Sequence, residues 1–265
     1  SSSSTAAPAS FEPRDLSAIV QRPTESRRLY VIGRNLAVVS KGRQIEIPSG
    51  NPQRLVGAVV AAGGSASYDD LAEAIWPGDD VEDGRRRLRN VVMRLRQAVG
   101  GVIVRSSAGF RLGPDVSCDL LDFQRLATDA LAAARSDPDL AGHLATRAVG
   151  LIEGRIFEAF EYEEWALGAR RSAEKQLIAM LDLLSVQAQD RGDLPLAQTL
   201  AERALGLDRF TDSRYVRIAE LMSLQNRNAA AIAVLEDASQ MSSDVGAEPS
   251  PEVLRRRAAL LRRVA

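Results

Sequence analysis

Between Gly84 and Arg111 the sequence carries eight arginines and no aspartate or glutamate. Six of them (Arg85, Arg86, Arg87, Arg89, Arg94 and Arg96) fall in a stretch where Leu88, Val91 or Val92, Leu95 and Val99 recur at helical spacing. At about 100° per residue, Arg86, Arg89, Asn90, Met93 and Gln97 share the face opposite Leu88, Val92, Leu95 and Val99, and Arg87, Arg94 and Arg96 flank it. A helix so charged repels itself unless a polyanion screens it. The major groove of duplex DNA supplies one. Arginine and asparagine make paired hydrogen bonds to guanine and adenine edges there, and flanking arginines reach phosphates. Arg105, Ser106 and Arg111 follow on an expected hairpin, from which the cations reach the neighbouring backbone or the minor groove. The competing interpretation is a solvated charged face.

Other chemistries find little support. The chain has 265 residues, one histidine (His143) and one cysteine (Cys118). A Cys/His zinc site or an internal disulfide is therefore impossible within it, and a reducing compartment fits. His143 lies in an ordinary amphipathic helix and makes a poor triad base. No glycine-rich nucleotide cradle occurs. Glu158, Glu161, Glu163 and Glu164 lack the spacing of a calcium loop and read as a solvated acidic loop. Cys118 has no lysine or histidine neighbour to activate it. No cofactor, no metal and no enzymatic activity are expected. No apolar run approaches the roughly 20 residues that span a bilayer, so no membrane insertion is expected and a cytoplasmic location follows.

The charge is divided. Residues 27–112 hold 14 Lys and Arg against 8 Asp and Glu, a net of +6, and residues 113–265 hold 18 against 24, a net of −6. That division predicts a basic module meeting a polyanion, joined to an acidic module with another task. Only Lys41 and Lys175 are lysines among 34 basic residues. Because the acidic half is equally arginine-rich, a GC-rich coding sequence explains this better than phosphate recognition.

The elements that must position these residues follow from the pattern. Residues 1–26, from the Ser1–Ser4 run through Pro8, Pro13 and Pro23, read as a disordered tail or linker. Leu29–Ile32, Leu36–Val39 and Ile45–Ile47 read as a meander of strands. Three helices follow. The first has Asn51 as N-cap, Pro52 at the first helical position and an apolar face of Leu55, Val56, Val59 and Val60. The second opens on Ser67 with Asp70 as capping-box partner and buries Leu71, Ala74 and Ile75. The third runs from about Asp83 to Val99. A hairpin over 102–112 closes the module. From about 119 the chain reads as helical throughout, with a cap and then proline at Asp137-Pro138, at Asp193-Leu194-Pro195 and at Ser250-Pro251. Ala197 and Ala231, Ala204 and Ala238, and Gly192 and Asn226 are each 34 apart, which is the tetratricopeptide period. Two units, 172–207 and 209–243, are expected, with a helix pair over 122–152 and a last helix over 252–264.

Strand meander, three helices and hairpin resemble the winged helix–turn–helix of the OmpR/PhoB type. The wording is closer still to the Streptomyces antibiotic regulatory protein family, whose members add a bacterial transcriptional activator domain. The resemblance rests on Gly42-Arg43, Gln53-Arg54-Leu55, Leu71–Trp76, Met93-Arg94-Leu95-Arg96, Ala108–Leu112, Cys118–Phe123, Glu164-Trp165-Ala166 and Asp244–Glu252, in order over residues 28–264. It implies an α+β winged helix–turn–helix over 27–114, followed by an all-α, tetratricopeptide-like activator domain over 115–265. It implies an activator that binds double-stranded DNA at direct repeats, with homodimers on them, and whose helical domain contacts RNA polymerase or itself. By position it places Arg54, Arg86, Arg87, Arg89, Asn90, Met93, Arg94, Arg96, Arg105 and Ser106 at the DNA. Arg87 and Arg89 stand where the family has small polar residues, so the DNA sequence read would differ. Ile152 and Arg155 replace the family's usual Trp and Pro. The tail lies outside the family's core and implies a piece of a larger, membrane-tethered regulator. The alternative function is an adaptor that binds protein in the helical groove, with the winged helix structural. The unopposed arginines of 84–111 argue against it.

Overall fold

The computed structural model describes residues 27–264, and the tail expected over 1–26 lies outside the described residues. Strands β1 (Arg27–Tyr30), β2 (Ala37–Ser40) and β3 (Arg43–Glu46) form the expected antiparallel meander. Lys41 and Gly42, at φ 52° and 72°, make the tight turn between β2 and β3.

Helices α1 (Asn51–Ala61), α2 (Tyr68–Ile75) and α3 (Val81–Val99) follow, then the hairpin of β5 (Ile103–Arg105) and β6 (Gly109–Leu112). Two short strands escaped the pattern. β4 (Ser65–Ser67) pairs with β6, and β7 (Val116–Cys118) pairs parallel to β1. Three residues carry too little alternation to read as a strand. They are held by neighbours distant in sequence.

Local details differ where caps compete. Gly50, at φ 81°, is the N-cap of α1, and Asn51 is already helical, so its side chain does not cap. α3 starts earlier than Asp83, because Asp80 Oδ1 accepts from the Glu82 and Asp83 amides at 2.9 and 3.3 Å. In α2 it is Ala72 that is buried, and Ala74 is half-buried. Ser67 caps that helix as expected, its Oγ accepting from Asp70 N at 3.1 Å. Val91 rather than Val92 completes the buried stripe of Leu88, Leu95 and Val99.

The helical half pairs α4 (Asp119–Ala133) with α5 (Pro138–Gly150), α6 (Glu164–Asp190) with α7 (Leu194–Leu207), and α8 (Asp212–Leu224) with α9 (Asn228–Asp244); α10 (Pro251–Val264) packs on α8 and α9. The 34-residue register holds. Ala197, Ala204, Ala231 and Ala238 are fully buried where helices cross, and Gly192 and Asn226 both take left-handed conformations, at φ 80° and 60°, where α6 and α8 end. α6 begins eight residues before the expected unit, and these extra turns pack against α1.

The two halves share one buried cluster, which contains Leu55 and Leu88 as well as Phe157, Phe160 and Leu177. At the junction, buried Asp119 accepts from Val31 N (3.0 Å), Ile32 N (3.1 Å) and Leu120 N (2.7 Å), fastening the end of β1 to the start of α4. Gly57 of α1 faces the rings of Phe160 and Trp165 so closely that an added Cβ would lie 2.5 Å from the first and 2.7 Å from the second.

Candidate nucleic-acid interface

The turn between α2 and α3 sets the angle at which α3 is presented. Gly84, in the first turns of α3, lies against Ala72 of α2. A Cβ there would stand 2.8 Å from the Ala72 Cβ, so only glycine lets the helices approach this closely. A glycine inside an otherwise helical pattern was the available signal for this contact.

With Leu88, Val91, Leu95 and Val99 turned inward, α3 exposes Arg85, Arg86, Arg87, Arg89, Asn90, Met93, Arg94, Arg96 and Gln97. The arginines divide into two groups. Arg85 makes a two-pronged contact to Asp69 of α2, at 2.9 and 3.0 Å. Arg87 is held by Asp79 and lies over the Trp76 ring, 5.8 Å from its centroid. Arg86 pairs with Asp83 one turn back, at 2.9 Å. Self-repulsion is thus relieved for these three by acids just outside the acid-free stretch. The Asp83 pair is exposed on both sides and is exchanged for another anion at little cost. The second group is Arg89, Arg94 and Arg96, which have no carboxylate partner among the described residues. Arg89 only touches the Arg85 carbonyl, at 3.4 Å.

The hairpin stands beside this face. Ser106 and Gly109 close its tip, Ser106 N donating to Gly109 O at 2.9 Å and Gly109 N to Ser106 Oγ at 3.1 Å. Ser106 therefore shapes the tip with its side chain. Gly109 crosses β4 with no room for a Cβ, which would lie 2.0 Å from the Ala66 carbonyl oxygen. Arg105 Nε donates to Tyr68 Oη at 2.8 Å, and Tyr68 meets Phe110 edge-on. Tyr68 was not anticipated as a site residue. Its only signal was the capping box next to it. Between α3 and the hairpin lies an open cleft of about 500 Å³, lined by Arg85, Arg89, Arg96, Arg105, Tyr68 and Phe110 among others.

Arg54 is brought somewhere else. Its guanidinium pairs with Glu163, the residue before α6, at 2.7 Å. The acidic loop that the sequence left solvated is clamped in the same way. Arg34 holds Glu158 at 3.2 Å, Arg155 holds Glu161 at 3.3 Å, and Arg170 donates to the Ile156, Phe157 and Phe160 carbonyls. Arg34 and Arg54 come from the winged half, so this loop is a junction between halves.

Neither remaining titratable candidate belongs to the basic face. His143 is exposed on α5. Cys118 is buried, and burial pushes its thiol pKa up, with the Asp119 charge adding to the effect. Burial likewise raises the Asp119 carboxyl above its ordinary value, against the opposing pull of three backbone amides. No helix among the described residues is long and apolar enough to cross a membrane.

Comparison with known proteins agrees with this architecture. Residues 118–261 match the model of the bacterial transcriptional activator domain. No curated protein matches the chain significantly. Among solved structures, Mycobacterium tuberculosis EmbR in complex with a low-affinity phosphopeptide matches with a TM-score of 0.72 and 17% identity, over 90% of this chain. This chain spans 66% of the length of that one, a little under two thirds. At this identity the likeness is one of fold, and its coverage takes in both the winged half and the helical half.

Proposed function

The chain belongs to the bacterial transcriptional activator domain family, and from that premise we propose that it activates transcription by binding duplex DNA through α3 and the hairpin. The expected division holds in this proposal: residues 27–114 meet DNA, and residues 115–265 contact RNA polymerase or a second copy on direct repeats. Its place of action is then the cytoplasm, where the chromosome is.

One observation carries the reading. Arg89 and Arg96 on α3 line one exposed cleft with Arg105 of the hairpin, and neither these three nor the exposed Arg94 and Arg111 have a carboxylate partner among the described residues. Arg34 and Arg54 of the same half are instead paired with carboxylates at the junction. Cations left open beside a groove-sized helix suit a polyanion. On that helix Arg94 and Asn90 present the groups that read base edges, Arg86 joins them by giving up Asp83, and Arg96 and Arg105 lie where phosphates run. Arg87, tied to Asp79 and Trp76, holds the turn and contributes field rather than a contact. Arg54 has its part in joining the halves.

Gel retardation with the full chain over a salt series tests the proposal. Each phosphate neutralised adds about −0.9 to the slope of log K against log salt, so binding should fall steeply as salt rises. A flat response, or no retention of duplex at low salt, overturns it.

A further inference from the structure

We infer that Met93 reads the 5-methyl group of a thymine, so that the site bound by this chain contains a T within one or two base steps of the base met by Asn90. The inference rests on the DNA-binding reading above and specifies it. Met93 is 54% exposed, more than any other large apolar side chain among the described residues of the winged half. The core does not need it, because Leu88, Val91, Leu95 and Val99 fill the inward side of α3. Its neighbours on the outward face are Arg89, Asn90, Arg94 and Gln97, all polar and exposed. An apolar side chain at the centre of such a face has nothing among the described residues to cover it.

In the major groove the edges of guanine, adenine and cytosine present hydrogen-bonding groups, and thymine alone adds a methyl. A thioether is at best a weak acceptor. Pressed against a purine edge or a cytosine amino group, it would strip water without replacing the hydrogen bonds. Over a thymine methyl it loses nothing and buries apolar surface on both sides. Met93 lies three residues after Asn90, about 4.5 Å along the helix axis. That is close to the ~3.4 Å spacing of bases along a strand, which sets the one-or-two-step limit.

The test begins by enriching bound duplexes from a random pool with the full chain. Each dT of the enriched site is then replaced singly by deoxyuridine, which removes the methyl and nothing else. The expected result is one position where the replacement weakens binding roughly fourfold, the worth of one buried methyl. At that position Met93→Ala should bind thymine and uracil duplexes alike, while Met93→Leu keeps the preference. If the site is enriched but no replacement weakens binding, or if Met93→Ala shows the same sensitivity as the parent, the inference is wrong and the DNA reading stands. If no sequence is enriched, sequence reading by α3 fails and the inference fails with it.

Discussion

Replacing Asp119 should loosen the junction between the two halves without touching the basic face. The side chain is 3% exposed and receives three backbone amides, those of Val31, Ile32 and Leu120. Asp119→Ala leaves these donors without a partner. At about 1–3 kcal/mol for each buried unsatisfied group, three give a ceiling of roughly 3–9 kcal/mol. Two effects reduce it. The Ile32 amide is only part-buried and gains water, and the variant no longer has to desolvate a carboxylate. A net loss of about 2–4 kcal/mol remains. Asp119→Asn keeps one acceptor oxygen but turns an amide NH₂ towards a donor, so about half that loss is expected. The pH dependence has a definite sign. Burial raises the carboxyl above 3.8, so the folded chain holds this proton more tightly than the unfolded chain does. The group's contribution is therefore largest below 3.8 and declines as pH rises through the raised value. Asp119→Asn lacks that decline. Urea unfolding followed by circular dichroism, at several pH values from 3.8 upward, measures both effects. Asp119→Ala within about 0.5 kcal/mol of the parent would refute the reasoning.

Three further outcomes follow from packing. Cys118, buried with its thiol pKa raised, should resist a thiol reagent in the folded chain and react only at the rate of unfolding; fast labelling in native buffer would show that the β7–α4 junction opens. Gly57→Leu drives a side chain into the Phe160 and Trp165 rings and should destabilise by roughly 1–3 kcal/mol or more, read as a lower melting temperature. Ala204→Trp or Ala238→Trp should overpack a helix crossing by a similar roughly 1–3 kcal/mol, and parental melting in both would mean the crossings yield.

Much of this architecture was legible because its signals are local. Ser67 with Asp70, the prolines after Asp137 and Ser250, and the stripe from Leu88 to Val99 each state an element within a few residues. The 34-residue spacing worked because alanine at 204 and 238, and a left-handed residue at 192 and 226, recur for steric reasons. What stayed hidden depends on partners far along the chain. β7 exists because β1 lies beside it, and Asp119 looks like an ordinary first-turn acid until the Val31 amide, 88 residues away, is in place. The same holds at the basic face. Counting arginines could not distinguish Arg87, occupied by Asp79 and Trp76, from Arg94 and Arg96, which are open.

The central claim is that the outward face of α3 meets DNA, with Asn90 at a base edge and Arg96 at a phosphate. The most direct measurement compares Asn90→Ala and Arg96→Ala with the parent on an enriched site and on random duplex, at one fixed salt and then over a salt series. Asn90→Ala should lose about 1–3 kcal/mol on the enriched site alone, relaxing preference at one position. Arg96→Ala should weaken both duplexes about equally and lower the salt slope by about one. An unchanged ratio of enriched to random binding for Asn90→Ala, together with an unchanged slope for Arg96→Ala, would contradict the account.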